Sequence, residues 1–150
     1  MTLSLFLHVL SVVVWVGGMF FAYMCLRPVA ASVLEPPQRL TLWAGVFGKF
    51  FPWVWAAVAL ILLSGLHMLS LIGASGVPHY AFAMLALGVV MMLIFGHVFF
   101  SPYQRLKRAV SGQDWKAGGA ALAQIRRLVG INLIIGLVTI AVVFAGRALN

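Results

Sequence analysis

Four long apolar runs, separated by shorter polar links, dominate the chain; they cover about residues 3–26, 52–72, 79–100 and 128–145. Each reaches about 20 residues, the length that an α-helix needs to cross a hydrocarbon core of roughly 30 Å. A bilayer offers no water to satisfy open backbone groups, so runs of this length are expected to be helices. The pattern predicts an all-α membrane protein whose single domain, residues 1–150, is a four-transmembrane-helix bundle.

The link between the first two runs has a helical pattern of its own. Glu35-Pro36-Pro37 is typical of a helix start, because proline is tolerated in a first turn. Leu40 and Phe47 follow at helical spacing, which predicts a short interfacial helix between spans 1 and 2. Its aromatic anchors are predicted to be Trp43, Trp53 and Trp55. A second interfacial piece is predicted within residues 103–127, broken near Gly118-Gly119.

Composition excludes a soluble protein. Hydrophobic residues make up 64% of the chain and charged residues only 8%, whereas an ordinary soluble domain has about 25% charged residues. So few charges cannot cover a water-exposed surface. The spans also occupy most of the chain, which leaves no room for a nucleotide-binding loop or a dinucleotide fold.

The positive charges are concentrated in two links, and this pattern predicts the orientation. Nine of the ten basic residues lie there: Arg27, Arg39, Lys49, Arg105, Lys107, Arg108, Lys116, Arg126 and Arg127. The positive-inside bias places these links in the cytoplasm and both termini outside. The net charge of +8 then predicts attraction to anionic lipid headgroups, and no nucleic-acid partner.

Histidines are the most versatile chemical groups in the spans. His8 and His67 each lie about five residues from the outer end of a span, roughly 7–8 Å below the boundary. His79 begins the third span at that boundary, whereas His97 lies roughly 27 Å away along the axis. Imidazoles at matched depth suit a bis-histidine haem between helices, and three converging imidazoles would equally suit copper. The predicted metal ligands are therefore His8, His67 and His79.

Other polar residues extend this hypothesis or offer plainer explanations. Ser11 and Trp15 follow His8 on a similar helical face, and Arg27 could pair with acidic cofactor groups, so these three join the predicted cofactor-binding residues. Each histidine could instead simply hydrogen-bond to a serine or carbonyl of a neighbouring helix. Asn132 is predicted to make such a bond between helices. Only two acidic side chains are present, both in links, so no carboxylate pair for acid–base catalysis can be named.

Several motifs resemble the bacterial copper resistance protein D superfamily. They are Leu7-His8-Val9-Leu10, Trp15-Val16-Gly17-Gly18-Met19-Phe20-Phe21, Leu26-Arg27-Pro28, Phe50-Phe51-Pro52-Trp53-Val54-Trp55 with Ser64-Gly65, and Ile125-Arg126-Arg127-Leu128-Val129 with Asn132 and Gly136. The resemblance implies a short, single-module bacterial member. Together with the positive-inside bias, it predicts a protein of the bacterial inner membrane with its termini in the periplasm. Longer members of the superfamily are implicated in copper uptake.

The layout also resembles the haem-containing membrane protoporphyrinogen oxidase of bacteria. His8 and His79 would match the histidines of its first and third spans, but Ala81 stands where that family has a lysine. This resemblance implies haem binding rather than the oxidase activity itself.

Three functions follow as hypotheses. The preferred one is a b-type haem-binding membrane protein in electron transfer or redox chemistry, with His8 as a ligand and either His67 or His79 as the second. The alternatives are copper binding or transport at the inner membrane, and a non-catalytic accessory subunit. A homo-oligomer or a larger membrane complex is compatible with each, and whether the chain is an enzyme stays open.

Overall fold

The computed structural model describes residues 1–73 and 76–148, and the predicted all-α fold is confirmed. Six α-helices are described: α1 (Thr2–Phe21), α2 (Arg27–Val33), α3 (Pro36–Ile72), α4 (His79–Phe100), α5 (Pro102–Ser111) and α6 (Trp115–Ala148). A π-helical segment, Ala22–Leu26, joins α1 to α2 without a break in the rod. Within the described ranges, no β-strand is found.

The helices form the predicted bundle of four membrane-spanning rods. The rods are Thr2–Val33, Pro36–Ile72, His79–Ser111 and Trp115–Ala148, and each is long and apolar enough to cross a bilayer. Successive rods run antiparallel, with α1 packed mainly against α3 and α4 against α6. The start of α1 and the end of α6 therefore lie at one end, the terminal end, and the links rich in Lys and Arg lie at the other, the basic end.

Helix α3 starts where the sequence predicts but extends further than expected. Glu35 and Gln38 form a capping box, in which the Glu35 side chain accepts from the backbone of Gln38 and Gln38 Oε1 accepts from the Glu35 N–H at 3.4 Å. From there α3 continues for 37 residues, through Pro52. Pro52 removes one backbone hydrogen bond but does not end the helix. The interfacial helix and the second span therefore form one rod of roughly 55 Å.

The apolar face of this extension is covered by protein rather than by lipid. Leu40, Trp43 and Phe47 are all buried in the core, where α5 and α6 pack against α3. Trp53 and Trp55 remain exposed, at 67% and 38% of their surface. Of the three predicted aromatic anchors, Trp43 is therefore a core residue.

The break between α5 and α6 lies earlier than expected. It falls at residues 112–114, where Gln113 has a positive φ of 54° and Asp114 Oδ1 accepts a hydrogen bond from the Ala117 N–H at 3.1 Å. Gly118-Gly119 instead lies within α6, so the predicted break there is wrong. A Cβ on Gly118 would lie 3.1 Å from Leu40 Cδ1, so this glycine allows close packing of α6 on α3.

Candidate functional site

Two histidine–serine pairs lie on neighbouring turns between α1 and α3 near the terminal end. His8 Nδ1 lies 3.0 Å from Ser64 Oγ, and His67 Nδ1 lies 2.8 Å from Ser4 Oγ. We call these four residues the α1–α3 polar cluster. His8 lies level with Ser64 and His67 lies level with Ser4. The structure thus brings the two histidines to one interface, but about one helical turn apart rather than at the single depth that the sequence predicts.

Helical spacing explains how the cluster assembles. Ser4 and His8 are four residues apart, and Ser64 and His67 are three apart, so each pair lies on one helix face. Because α1 and α3 run antiparallel, each serine lies opposite the histidine of the other helix. Gly65 packs against the His8 ring, since a Cβ there would lie 3.4 Å from His8 Cε1, an ordinary van der Waals contact.

The hydrogen bonds of Ser64 favour one tautomer of His8. The Ser64 hydroxyl donates to the Leu60 carbonyl oxygen at 2.5 Å, which uses its single proton. With that proton directed at Leu60, Ser64 Oγ accepts from His8 in the tautomer that carries its proton on Nδ1. In the neutral ring this leaves Nε2 with a lone pair, the form in which imidazole binds a metal ion. His8 is half-buried, whereas His67 is exposed.

The third predicted ligand is not gathered into this cluster. His79 is exposed at the first residue of α4, and α4 packs against α6 rather than α1. Over residues 1–73 and 76–148, no group of three His, Cys, Asp or Glu side chains could hold a metal ion. His97 is exposed in the last turn of α4, towards the basic end.

The remaining predicted cofactor residues lie apart from the polar cluster. Ser11 is buried, and its hydroxyl donates to the Leu7 carbonyl within α1 at 2.7 Å. Trp15 is buried with its ring against Phe95, 6.1 Å between centroids. The Arg27 guanidinium lies 4.7 Å over the Tyr23 ring.

A cavity of about 300 Å³ lies in the centre of the bundle, closer to the basic end. Its lining is mostly apolar and aromatic and includes Trp15, Phe51 and Phe95. Asn132 also lines it and makes the predicted bond between helices, from Nδ2 to the Met91 carbonyl at 3.3 Å. Among the described residues, Asn132 Oδ1 is the single buried side-chain polar atom without a hydrogen-bond partner.

Sequence reasoning missed two features of these sites. Ser4 was not recognised as a partner of His67, although its position four residues before His8 is the available signal. The cavity beside Asn132 was also missed, because a cavity between helices depends on how four rods pack and leaves no local pattern in the sequence. Asn132, placed about one turn inside an apolar run, was the only indication of it.

The fold defines the chain as a multi-pass α-helical membrane protein. The family model of copper resistance protein D matches residues 44–145, about two-thirds of the chain. The chain therefore belongs to the copper resistance protein D family, a membrane family linked to copper resistance. The match includes Ser64 and His67 but not Ser4 and His8, which join them through the packing of α1 on α3. No curated protein and no solved structure gives a match.

These findings favour copper over haem b. The family name refers to copper, and the polar cluster offers two imidazoles held by serines. None of the four histidines lines the central cavity. Haem binding and electron transfer, the preferred hypothesis from the sequence, therefore have no support in the structure or in the comparisons.

Proposed function

We propose that this protein binds copper ions as cargo at the membrane, through His8 and His67 at the terminal end of the bundle. The observation that carries the proposal is the family match over residues 44–145. Imidazole nitrogen is a suitable ligand for copper, and these two histidines occupy neighbouring turns of the α1–α3 interface.

The polar cluster supports copper binding through hydrogen bonds that orient the ring. A metal-binding histidine commonly donates its other ring N–H to a fixed acceptor, which sets the ring orientation and the tautomer. Ser64 accepts from His8 Nδ1 in this way, and it is itself held by the Leu60 carbonyl. This arrangement supports His8 Nε2 as the nitrogen that would bind the copper ion.

The distribution of charge also favours a cation at this end. Nine of the ten Lys and Arg side chains lie at the basic end, and Arg147 alone lies near the terminal end. Cations are attracted to regions of lower positive potential. The polar cluster therefore lies where the protein repels a copper ion least.

Copper titration of the purified protein tests the proposal. In detergent micelles, with Cu(I) competed against a chromogenic chelator, we expect His8→Ala and His67→Ala to weaken binding by at least about tenfold, a loss of roughly 1.4 kcal/mol or more. Ser64→Ala should weaken it by about 10- to 100-fold, because it removes the partner that orients the His8 ring.

His97→Ala is the matched control, since His97 is an exposed histidine at the opposite end. It should keep the wild-type affinity, and far-ultraviolet circular dichroism should show unchanged helix content in all variants. Equal copper affinity in the wild type and in both His8→Ala and His67→Ala would overturn the proposal.

We also propose that the basic end faces the cytoplasm of a bacterial inner membrane and that both termini are periplasmic. The proposal rests on the positive-inside bias of the links and on the antiparallel order of the four rods. Alkaline phosphatase fused after Ala148 should be active, whereas fusion after Arg108 should be inactive. The reverse pattern would invert the orientation and place the polar cluster on the cytoplasmic side.

A further inference from the structure

The central cavity is large for an apolar cavity and lies beside an irregular segment of the first rod. Its volume of about 300 Å³ is roughly twice that of an engineered apolar cavity of about 150 Å³ that accepts benzene. It lies beside the π-helical segment, whose residues Ala22 and Leu26 contribute to its wall. Such segments inside α-helices occur frequently at functional sites.

One polar atom in this wall lacks a partner. Asn132 is only 3% exposed, its Nδ2 already donates to the Met91 carbonyl, and its Oδ1 has no hydrogen-bond partner. A buried acceptor left unsatisfied costs about 1–3 kcal/mol. An occupant that donates one hydrogen bond to Oδ1 would remove that cost.

The chemistry of the cavity restricts the occupant. A buried water needs two to four polar partners, whereas among the described residues Asn132 Oδ1 is the single buried side-chain polar atom left unsatisfied. Aromatic rings on several sides, including Trp15, Phe50 and Phe95, favour stacking or edge contacts with another ring. The volume admits one substituted ring but not the four pyrrole rings of a porphyrin.

We propose that this cavity binds a membrane-soluble aromatic alcohol, a molecule of the phenol or hydroquinone class whose hydroxyl donates to Asn132 Oδ1. The bilayer would deliver the ligand, because both the ring and the lining are apolar. The site is separate from the proposed copper cluster, since its lining includes no histidine.

A matched pair of fluorinated probes tests the proposal. The probes are 4-(trifluoromethyl)phenol and 4-(trifluoromethyl)anisole, which differ in that only the phenol can donate a hydrogen bond. Their binding to the full chain in detergent micelles is followed by ¹⁹F nuclear magnetic resonance. We expect the phenol to bind about three- to tenfold more tightly than the anisole, the value of one net hydrogen bond.

Two variants separate the hydrogen bond from the cavity. Asn132→Leu should abolish the preference for the phenol while leaving anisole binding similar. Ala22→Leu should fill the cavity and remove the specific binding of both probes. Because this variant retains Asn132, it still tests the cavity if Asn132→Leu fails to fold. Ala59→Leu, at an exposed helical position, is the control and should behave as the wild type.

Three results would overturn the proposal. Equal affinity of the two probes for the wild type would show that Oδ1 is not used, as expected if a lipid chain or water fills the cavity. Probe signals unchanged by Ala22→Leu would show partitioning into the micelle alone. A retained phenol preference in Asn132→Leu would place the hydroxyl elsewhere.

Discussion

Replacing Phe51 by alanine should lower the free energy of unfolding by about 3–5 kcal/mol, the usual cost of removing a buried phenylalanine side chain. Phe51 is 3% exposed and its ring contacts four others. The centroid distances are 5.0 Å to Phe47, 4.8 Å to Tyr103, 5.5 Å to Phe95 and 6.1 Å to Phe99. These rings belong to α3, α4 and α5, so one substitution loosens the packing of three helices.

Unfolding in mixed detergent micelles, followed by circular dichroism, measures this loss. Phe144→Ala provides the comparison, because Phe144 is 72% exposed and removing its ring leaves no internal void. We expect Phe144→Ala to change the stability by less than about 0.5 kcal/mol. Similar losses in both variants would mean that Phe51 has no special packing role.

Replacing Gly146 by alanine should push α4 and α6 apart at the terminal end. An added Cβ would lie 2.5 Å from Tyr80 Cβ, and that atom is fixed to the backbone of α4, so rotation of the tyrosine side chain cannot relieve the clash. Overpacking of this kind costs about 1–3 kcal/mol. The same micelle unfolding experiment should show this decrease.

Two other glycines provide graded controls. At Gly18 an added Cβ would meet the far end of the Phe50 ring, which can swing aside, so we expect a smaller loss there. At Gly17 nothing lies within 4 Å, and alanine should be neutral or stabilising by up to about 1 kcal/mol through helix propensity. A Gly146→Ala variant as stable as Gly17→Ala would show that α4 and α6 do not approach closely.

The four spans could be predicted because apolar length is a property of each segment alone. The continuity of α3 could not be predicted. Pro52 suggests a helix boundary, and the sequence does not show that α5 and α6 pack against α3. The predicted helix break at Gly118-Gly119 was wrong because it also depended on packing that the sequence does not show. Glycine serves both as a flexible hinge and as a site of close packing, and only the neighbouring Leu40 shows which role applies.

The approximate depth of the candidate site could be predicted, but its membership could not. The rise per residue places His8 and His67 at one level, whereas in the structure they lie about one helical turn apart, each bonded to a serine of the other helix. Rotation about each helix axis and the choice of neighbouring helix depend on packing. His79 was therefore predicted as a ligand from its position at the outer boundary, but its helix packs against α6 and keeps it out of the α1–α3 polar cluster.

Both acidic side chains of the chain are used to start helices. Glu35 caps α3, and Asp114 accepts a backbone hydrogen bond at the start of α6. The carboxylates thus stabilise helix ends rather than neutralise the nine cationic side chains around them. Two carboxylates cannot balance nine cations, so most of the counter-charge of this end has to come from outside the polypeptide, and we expect its ionic atmosphere to change with the composition of the surrounding lipid.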